Sequence, residues 1–226
     1  MRIGVPLAIA AVLYCAWSST AEAGMAALDS GLFSMYQYAD DQSSIAVTIC
    51  GNVGDSGGCF GGGTLGPFER ACALLEGTPH TKGDVVTRAL YVLDARKSST
   101  APIVLYVYVR TDKIDPPFDD INFTLKKQLP LGITGGIKSR CSMAANEGFV
   151  YAGTDASSAV AINKIHFTIA PASNGPVSAI TADSRGYVAI VSPSETGIVA
   201  PDGTGVFGMN FQALYEANTR NALKPH

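Results

Sequence analysis

The chain has 226 residues, of which 47% are hydrophobic and 15% charged, and carries a formal net charge of −3. This balance belongs to a globular protein of at most two domains and excludes a disordered tract or a collagen-like repeat. It also lacks the basic excess that a nucleic-acid binder carries on one face, so no nucleic-acid partner is expected.

The first 23 residues read as an export signal. Arg2 supplies the positive start, residues 3–17 form an apolar run, and Ala21 and Ala23 put small residues at the −3 and −1 cleavage positions. This is the layout of a secretory signal peptide, and the run is short for a membrane span. Tyr14 precedes Cys15 where a lipoprotein signal has Gly, Ala or Ser, so Cys15 is not read as a lipid site. Residues 24–226 are then expected to form one mainly β domain, secreted or periplasmic and not membrane-spanning once mature.

Four cysteines follow the signal: Cys50, Cys59, Cys72 and Cys141. An even number in an oxidising compartment reads as two disulfides, for which three pairings exist. Cys50 and Cys59 bracket a Gly-rich segment that can fold back, which favours Cys50–Cys59 with Cys72–Cys141. Zinc is not expected, because the spacing contains no C-x-x-C pair and no nearby His.

Strand signals then succeed one another over residues 44–49, 89–94, 103–110, 121–126, 149–152, 165–169, 187–191 and 206–209. Each is short, rich in β-branched or aromatic residues, and bounded by Gly, Pro, Asp, Asn or Ser. Two segments also fit a helix. Residues 68–76 read either as a short helix after Pro67 or as a strand, and residues 211–223 read as a short C-terminal helix capped by Asn210. The fold class expected is all-β.

Within residues 103–110 the alternation splits Ile103, Leu105, Val107 and Val109 from Val104, Tyr106, Tyr108 and Arg110. The first set reads as core and the second as a Tyr–Tyr–Arg ladder, either a flat amphipathic surface suited to a sugar ring or a partner side chain, or a face covered by a neighbouring blade or sheet with the hydroxyls at its edge. In the next strand Ile121, Phe123 and Leu125 are expected to face inward, with Asn122 and Thr124 outward. Further on, the segment from Cys141 through Asn146 and Gly148 to Tyr151 can be laid over Ala179 through Asp183 and Gly186 to Ala189. Each copy reads as strand, polar turn ending in Gly, aromatic, strand. These stretches resemble the blade repeats of β-propellers in secreted bacterial proteins, and the resemblance implies about four blades. A β-sandwich would show the same short strands, so both architectures stay open.

Several motifs bear on chemistry. Gly54-Asp55-Ser56-Gly57-Gly58 copies the nucleophile segment of chymotrypsin-like proteases, but no His precedes Ser56, as that family requires. Gly54-Asp55-Ser56 behind the strand at 44–49 also resembles the GDSL esterases. That resemblance implies Ser56 as nucleophile and His166, in Asn163-Lys164-Ile165-His166, as its base; the family's G-x-N-D block has no counterpart. Gly61 to Gly66 satisfies G-x-G-x-x-G, yet nothing marks a strand leading directly into a helix there, so no dinucleotide cofactor is expected. Asp112, Asp115, Asp119 and Asp120 flank Pro116-Pro117 and read as a solvated acidic loop, not a calcium site. No complete catalytic or metal set can be assembled, so the expectation is a non-catalytic module without cofactor or metal. It would bind a glycan or a surface protein through Tyr106, Tyr108 and Arg110, with ester hydrolysis through Ser56 and His166 as the alternative.

Overall fold

Short period-two segments joined by tight turns pair most readily with their chain neighbours. The computed structural model describes the backbone of residues 23–27, 32–53, 56–113 and 121–209, and among these every regular element is a strand. The first sheet comprises β1 (Ala23–Ala27), β2 (Leu32–Tyr38), β3 (Ile45–Val53) and β4 (Ser56–Leu65). The second comprises β5 (Ala71–Glu76), β6 (His80–Lys82), β7 (Val85–Asp94), β8 (Pro102–Lys113) and β9 (Ile121–Thr134), with β6 pairing β7 beside the main order. The third holds β10 (Cys141–Ala145), β11 (Phe149–Thr154), β12 (Ser157–Asn163) and β13 (Ile169–Pro171). The fourth holds β14 (Ala179–Ala182), β15 (Val188–Val191), β16 (Thr196–Val199) and β17 (Gly205–Met209). Spatial order follows chain order in each antiparallel sheet, and none closes into a barrel.

Three apolar clusters join the sheets in series. Tyr36, Tyr38, Ile45, Val47 and Leu65 of the first sheet meet Leu90, Val92 and Tyr108 of the second. From the opposite face of the second sheet, Leu93, Ile103, Leu105 and Leu131 pack on Val150, Ala152 and Ile162 of the third. Tyr151 and Ala159 then meet Ile180, Val188 and Ile190 of the fourth. The second sheet is therefore covered on both sides, and β7 is buried continuously from Leu90 to Asp94.

β9 must serve two cores, and one extra residue lets it do so. Tyr108 pairs with Leu125 while Val107 pairs with Lys127, which leaves Lys126 as a bulge. A one-residue insertion reverses the parity of side chains beyond it. Phe123 accordingly packs toward the first sheet, whereas Leu129, Leu131 and Ile133 pack toward the third. Asn122 and Thr124 are exposed as expected, but so is Leu125, at 43%. The Lys126-Lys127 pair and Pro130 also blunt this edge strand against pairing with another chain. Near its end Gly132 takes a φ of 72°, a conformation glycine adopts without steric cost.

Both favoured disulfides are present. Cys50 and Cys59 face one another across β3 and β4, and Cys72–Cys141 staples β5 to β10. The internal repeat is present too, with a difference in its turn. Asn146 Oδ1 accepts the amides of Gly148 and Phe149, while Asp183 Oδ1 accepts those of Arg185 and Tyr187, a turn one residue longer. The copies also touch, since Ser142 Oγ accepts the Ile180 amide at 2.7 Å.

One further expectation needs correction and two lie outside the described residues. The strand expected over residues 165–169 is largely a turn. Asn163 Oδ1 accepts the amides of Ile165 and His166, pulling the chain out of the extended conformation and leaving Ile165 78% exposed. The Gly-rich segment between Cys50 and Cys59 folds back as expected, as the end of the β3–β4 hairpin with Val53 opposite Ser56, and further along β4 Gly63 leaves the space that the Phe123 ring fills. The segment at 68–76 resolves as strand β5 from Ala71 onward. The C-terminal helix at 211–223 and the signal residues 1–22 lie outside the described residues.

Thiol titration of the denatured, unreduced protein lacking residues 1–23 should find no free thiol, and two or more would contradict this pairing. The chain-entropy model assigns about 2.6 kcal/mol to the 9-residue separation of Cys50–Cys59 and about 4.4 kcal/mol to the 69-residue separation of Cys72–Cys141. Denaturant unfolding of the two double Cys→Ala variants should therefore rank Cys72/Cys141 as the more destabilised.

Candidate functional site

The second face of β8 points into the seam between the first and second sheets, and the three side chains of the Tyr–Tyr–Arg ladder follow one another into it. Tyr106 is half-buried, Tyr108 is buried and Arg110 is wholly enclosed. Tyr106 and Tyr108 stack with ring centroids 6.4 Å apart and an interplanar angle of 12°. Phe68 sets its ring edge-on to both, at 5.2 Å from Tyr106 and 6.4 Å from Tyr108. Edge-to-face and offset contacts of this kind contribute about 0.5–1.5 kcal/mol each beyond area burial. Tyr106 is thus the one ladder member with an outward-reaching surface.

Below the aromatics lies a buried polar cluster. Arg110 Nη1 donates to Ser34 Oγ at 2.8 Å and to the Tyr36 hydroxyl at 2.9 Å, crossing from β8 to β2. Glu76 Oε1 on β5 receives Arg88 Nη1 from β7 at 2.5 Å and lies 3.5 Å from Arg110 Nη1. Among the described residues, Glu76 Oε2 and Arg88 Nε and Nη2 are buried and meet no hydrogen-bond partner. One carboxylate oxygen therefore faces two guanidinium groups in a region shielded from water. Burial pushes the Tyr36 phenol far above the usual range; Arg110 opposes this and Glu76 reinforces it.

A second polar network ties the loops at the other end of the seam. Arg70 Nε donates to Gln42 Oε1 at 2.7 Å and its Nη1 to the Ser139 carbonyl at 2.9 Å, linking connections of three sheets. The Arg70 amide donates to buried Asp94 at 2.7 Å, and Arg96 bridges Asp94 and Glu69. Burial, then the Asp94 carboxylate, raise the Tyr106 phenol, while Arg96 pulls it back. Sequence reasoning passed over this network. Its one signal was Asp94 closing an uninterrupted apolar strand, where a carboxylate must find donors.

The residues of the hydrolase alternative fall in different sheets. Ser56 opens β4 opposite Val53, while its side chain, Gly54 and Asp55 lie outside what is described. His166 is exposed in the turn between β12 and β13 of the third sheet, and His80 is exposed on β6. No core cluster joins the first and third sheets among the described residues. Gly61 and Gly63 of the G-x-G-x-x-G motif lie in β4 as extended strand and Gly66 follows the strand before Pro67, so the glycines do not form a turn opening a helix. Of the acidic loop, Asp112 ends in β8 and Asp115, Asp119 and Asp120 lie outside the described residues. Among the described residues no helix is long and apolar enough to cross a membrane. Comparison with protein-family models and with curated proteins finds no match.

Two outcomes follow from the seam. Glu76→Ala leaves two guanidinium groups facing each other in a dry interface and should cost about 3–5 kcal/mol in denaturant unfolding. Burial also raises the phenols of Tyr36, Tyr91, Tyr106, Tyr108 and Tyr151 above the ordinary 10.0. Above pH 10.0 the unfolded chain has released these protons and the folded one has not, so stability is intact below that pH and falls above it. Absorbance at 295 nm should therefore show the buried Tyr36, Tyr91, Tyr108 and Tyr151 ionising together with cooperative alkaline unfolding, whereas gradual ionisation of these four in a folded protein would contradict their burial.

Proposed function

We propose that this protein is a secreted or periplasmic binding module with a propeller-like arrangement of four blades. Three features support the architecture. Each sheet uses consecutive strands, consecutive sheets pack face to face, and the first strands β5, β10 and β14 are neighbours, joined by Cys72–Cys141 and by Ser142 with Ile180. A sandwich of Greek-key type exchanges strands between its sheets, and no such exchange occurs among the described strands. Two disulfides accord with an oxidising compartment.

The observation that carries the binding role is Tyr106, a half-exposed ring held rigid by Tyr108 and Phe68 at the mouth of a buried seam. A rigid amphipathic ring loses little entropy on contact and offers a face to a sugar or to an apolar side chain. Arg96 and Glu69, both part-exposed beside it, supply polar edges. In this reading Tyr108 and Arg110 support Tyr106 from within and do not themselves touch the ligand.

A glycan array and a panel of surface proteins, probed with wild type and Tyr106→Ser, test the reading. A ligand should emerge whose affinity drops by about tenfold or more, equivalent to the loss of about 1.4 kcal/mol, while unfolding stays cooperative. An unchanged affinity removes Tyr106 from the site. Stoichiometric labelling of Ser56 by a fluorophosphonate would replace the binding module with the ester hydrolase.

A further inference from the structure

The two disulfides occupy contrasting positions. Cys72 and Cys141 are half-buried, pack against the cluster between the second and third sheets, and join strands of different sheets. Cys50 and Cys59 sit on adjacent strands of one sheet, directly opposite in register, with Cys50 buried and Cys59 exposed. Thiol–disulfide exchange requires access for an attacking thiolate, so an exposed sulfur within a short loop is the reactive one, whereas a core staple closing a long loop resists.

We propose that Cys50–Cys59 is a two-electron redox switch that an external dithiol opens while Cys72–Cys141 stays closed. A thiolate of the dithiol attacks Cys59 Sγ, forming a mixed disulfide; the Cys50–Cys59 bond breaks, and its electron pair leaves on Cys50 Sγ, which takes up a proton. The second thiol of the reagent then displaces Cys59 as a thiol, so that the protein gains two electrons and two protons and the reagent becomes a disulfide.

The consequence lies in the first sheet. The bond clamps β3 to β4, and β4 is the strand whose Gly63 receives the Phe123 ring of β9. A bulge already interrupts β3–β4 pairing between Val47 and Ile49, so pairing beyond it leans on the clamp. Opening the bond frees that hairpin and slackens the seam on the side of the first sheet. The third sheet, held by the other disulfide, is untouched.

The test is graded dithiothreitol treatment of the folded, oxidised protein, with alkylation of new thiols, peptide mass spectrometry and hydrogen–deuterium exchange. Cys50 and Cys59 should be alkylated at a tenfold or more lower dose than Cys72 and Cys141, with near-ultraviolet circular dichroism largely retained. Deuterium uptake should rise over residues 45–65 and stay level over 141–163. With glutathione the mixed disulfide should form on Cys59. Earlier or simultaneous alkylation of Cys72 and Cys141, alkylation only after dichroism is lost, or uptake unchanged over 45–65 would each overturn the proposal. Because Cys50→Ser/Cys59→Ser mimics the open state, it should reproduce the raised uptake without reductant, and wild-type uptake in that variant would equally overturn it.

Discussion

The second sheet is packed against a neighbouring sheet on each of its faces, and most of the structure answers to that constraint. A strand covered on both sides cannot alternate apolar with polar, so β7 runs through Leu90, Tyr91, Val92 and Leu93 without interruption. Any charged group on such a strand needs its counter-charge from within the protein. Arg88 and Arg110 find Glu76, and Asp94 finds the Arg70 amide and Arg96. The buried ionic groups thus mark where the strands of this sheet leave an apolar core, one cluster at each end of the seam.

Successive sheets are held together by different chemistry. The first joins the second through aromatic stacking and the reach of Arg110 to Ser34 and Tyr36. The second and third share an aliphatic core and a covalent staple. The third and fourth use smaller side chains, with Ala144, Ala159 and Ala172 around Tyr151, and a serine in place of the cystine. Where packing volume falls, directional bonds take a larger share of fixing one sheet on the next. Specificity of the seam and strength of the core are thereby assigned to different interfaces.

Much of this was legible in the chain. The apolar alternation of residues 103–110 identified β8 and its two faces, and the polar turns at Asn146 and Asp183 marked the repeat. What escaped did so for physical reasons. β2 carries Ser34, Tyr36 and Tyr38 on its inward face, so its buried side reads as polar until Arg110 is placed opposite. β4 carries Gly63, whose missing side chain makes room for Phe123, a partner some sixty residues away that no local pattern reveals. Ile165 and Phe167 suggested a strand through composition alone, while Asn163 had already bound the amides that a strand needs. For the candidate site, the sequence located the ladder and left its face either exposed or covered, because exposure depends on which sheet lies opposite.

The bulge at Lys126 carries a consequence for how such a chain can vary over time. Side chains before it answer to the first sheet and those after it to the third, so the spacing between Phe123 and Leu129 encodes which neighbour each will meet. Substitutions along this stretch alter one contact at a time, but deletion of a single residue would send Leu129, Leu131 and Ile133 to the wrong partner together. Drift can rewrite the letters of that interval far more freely than it can change their number.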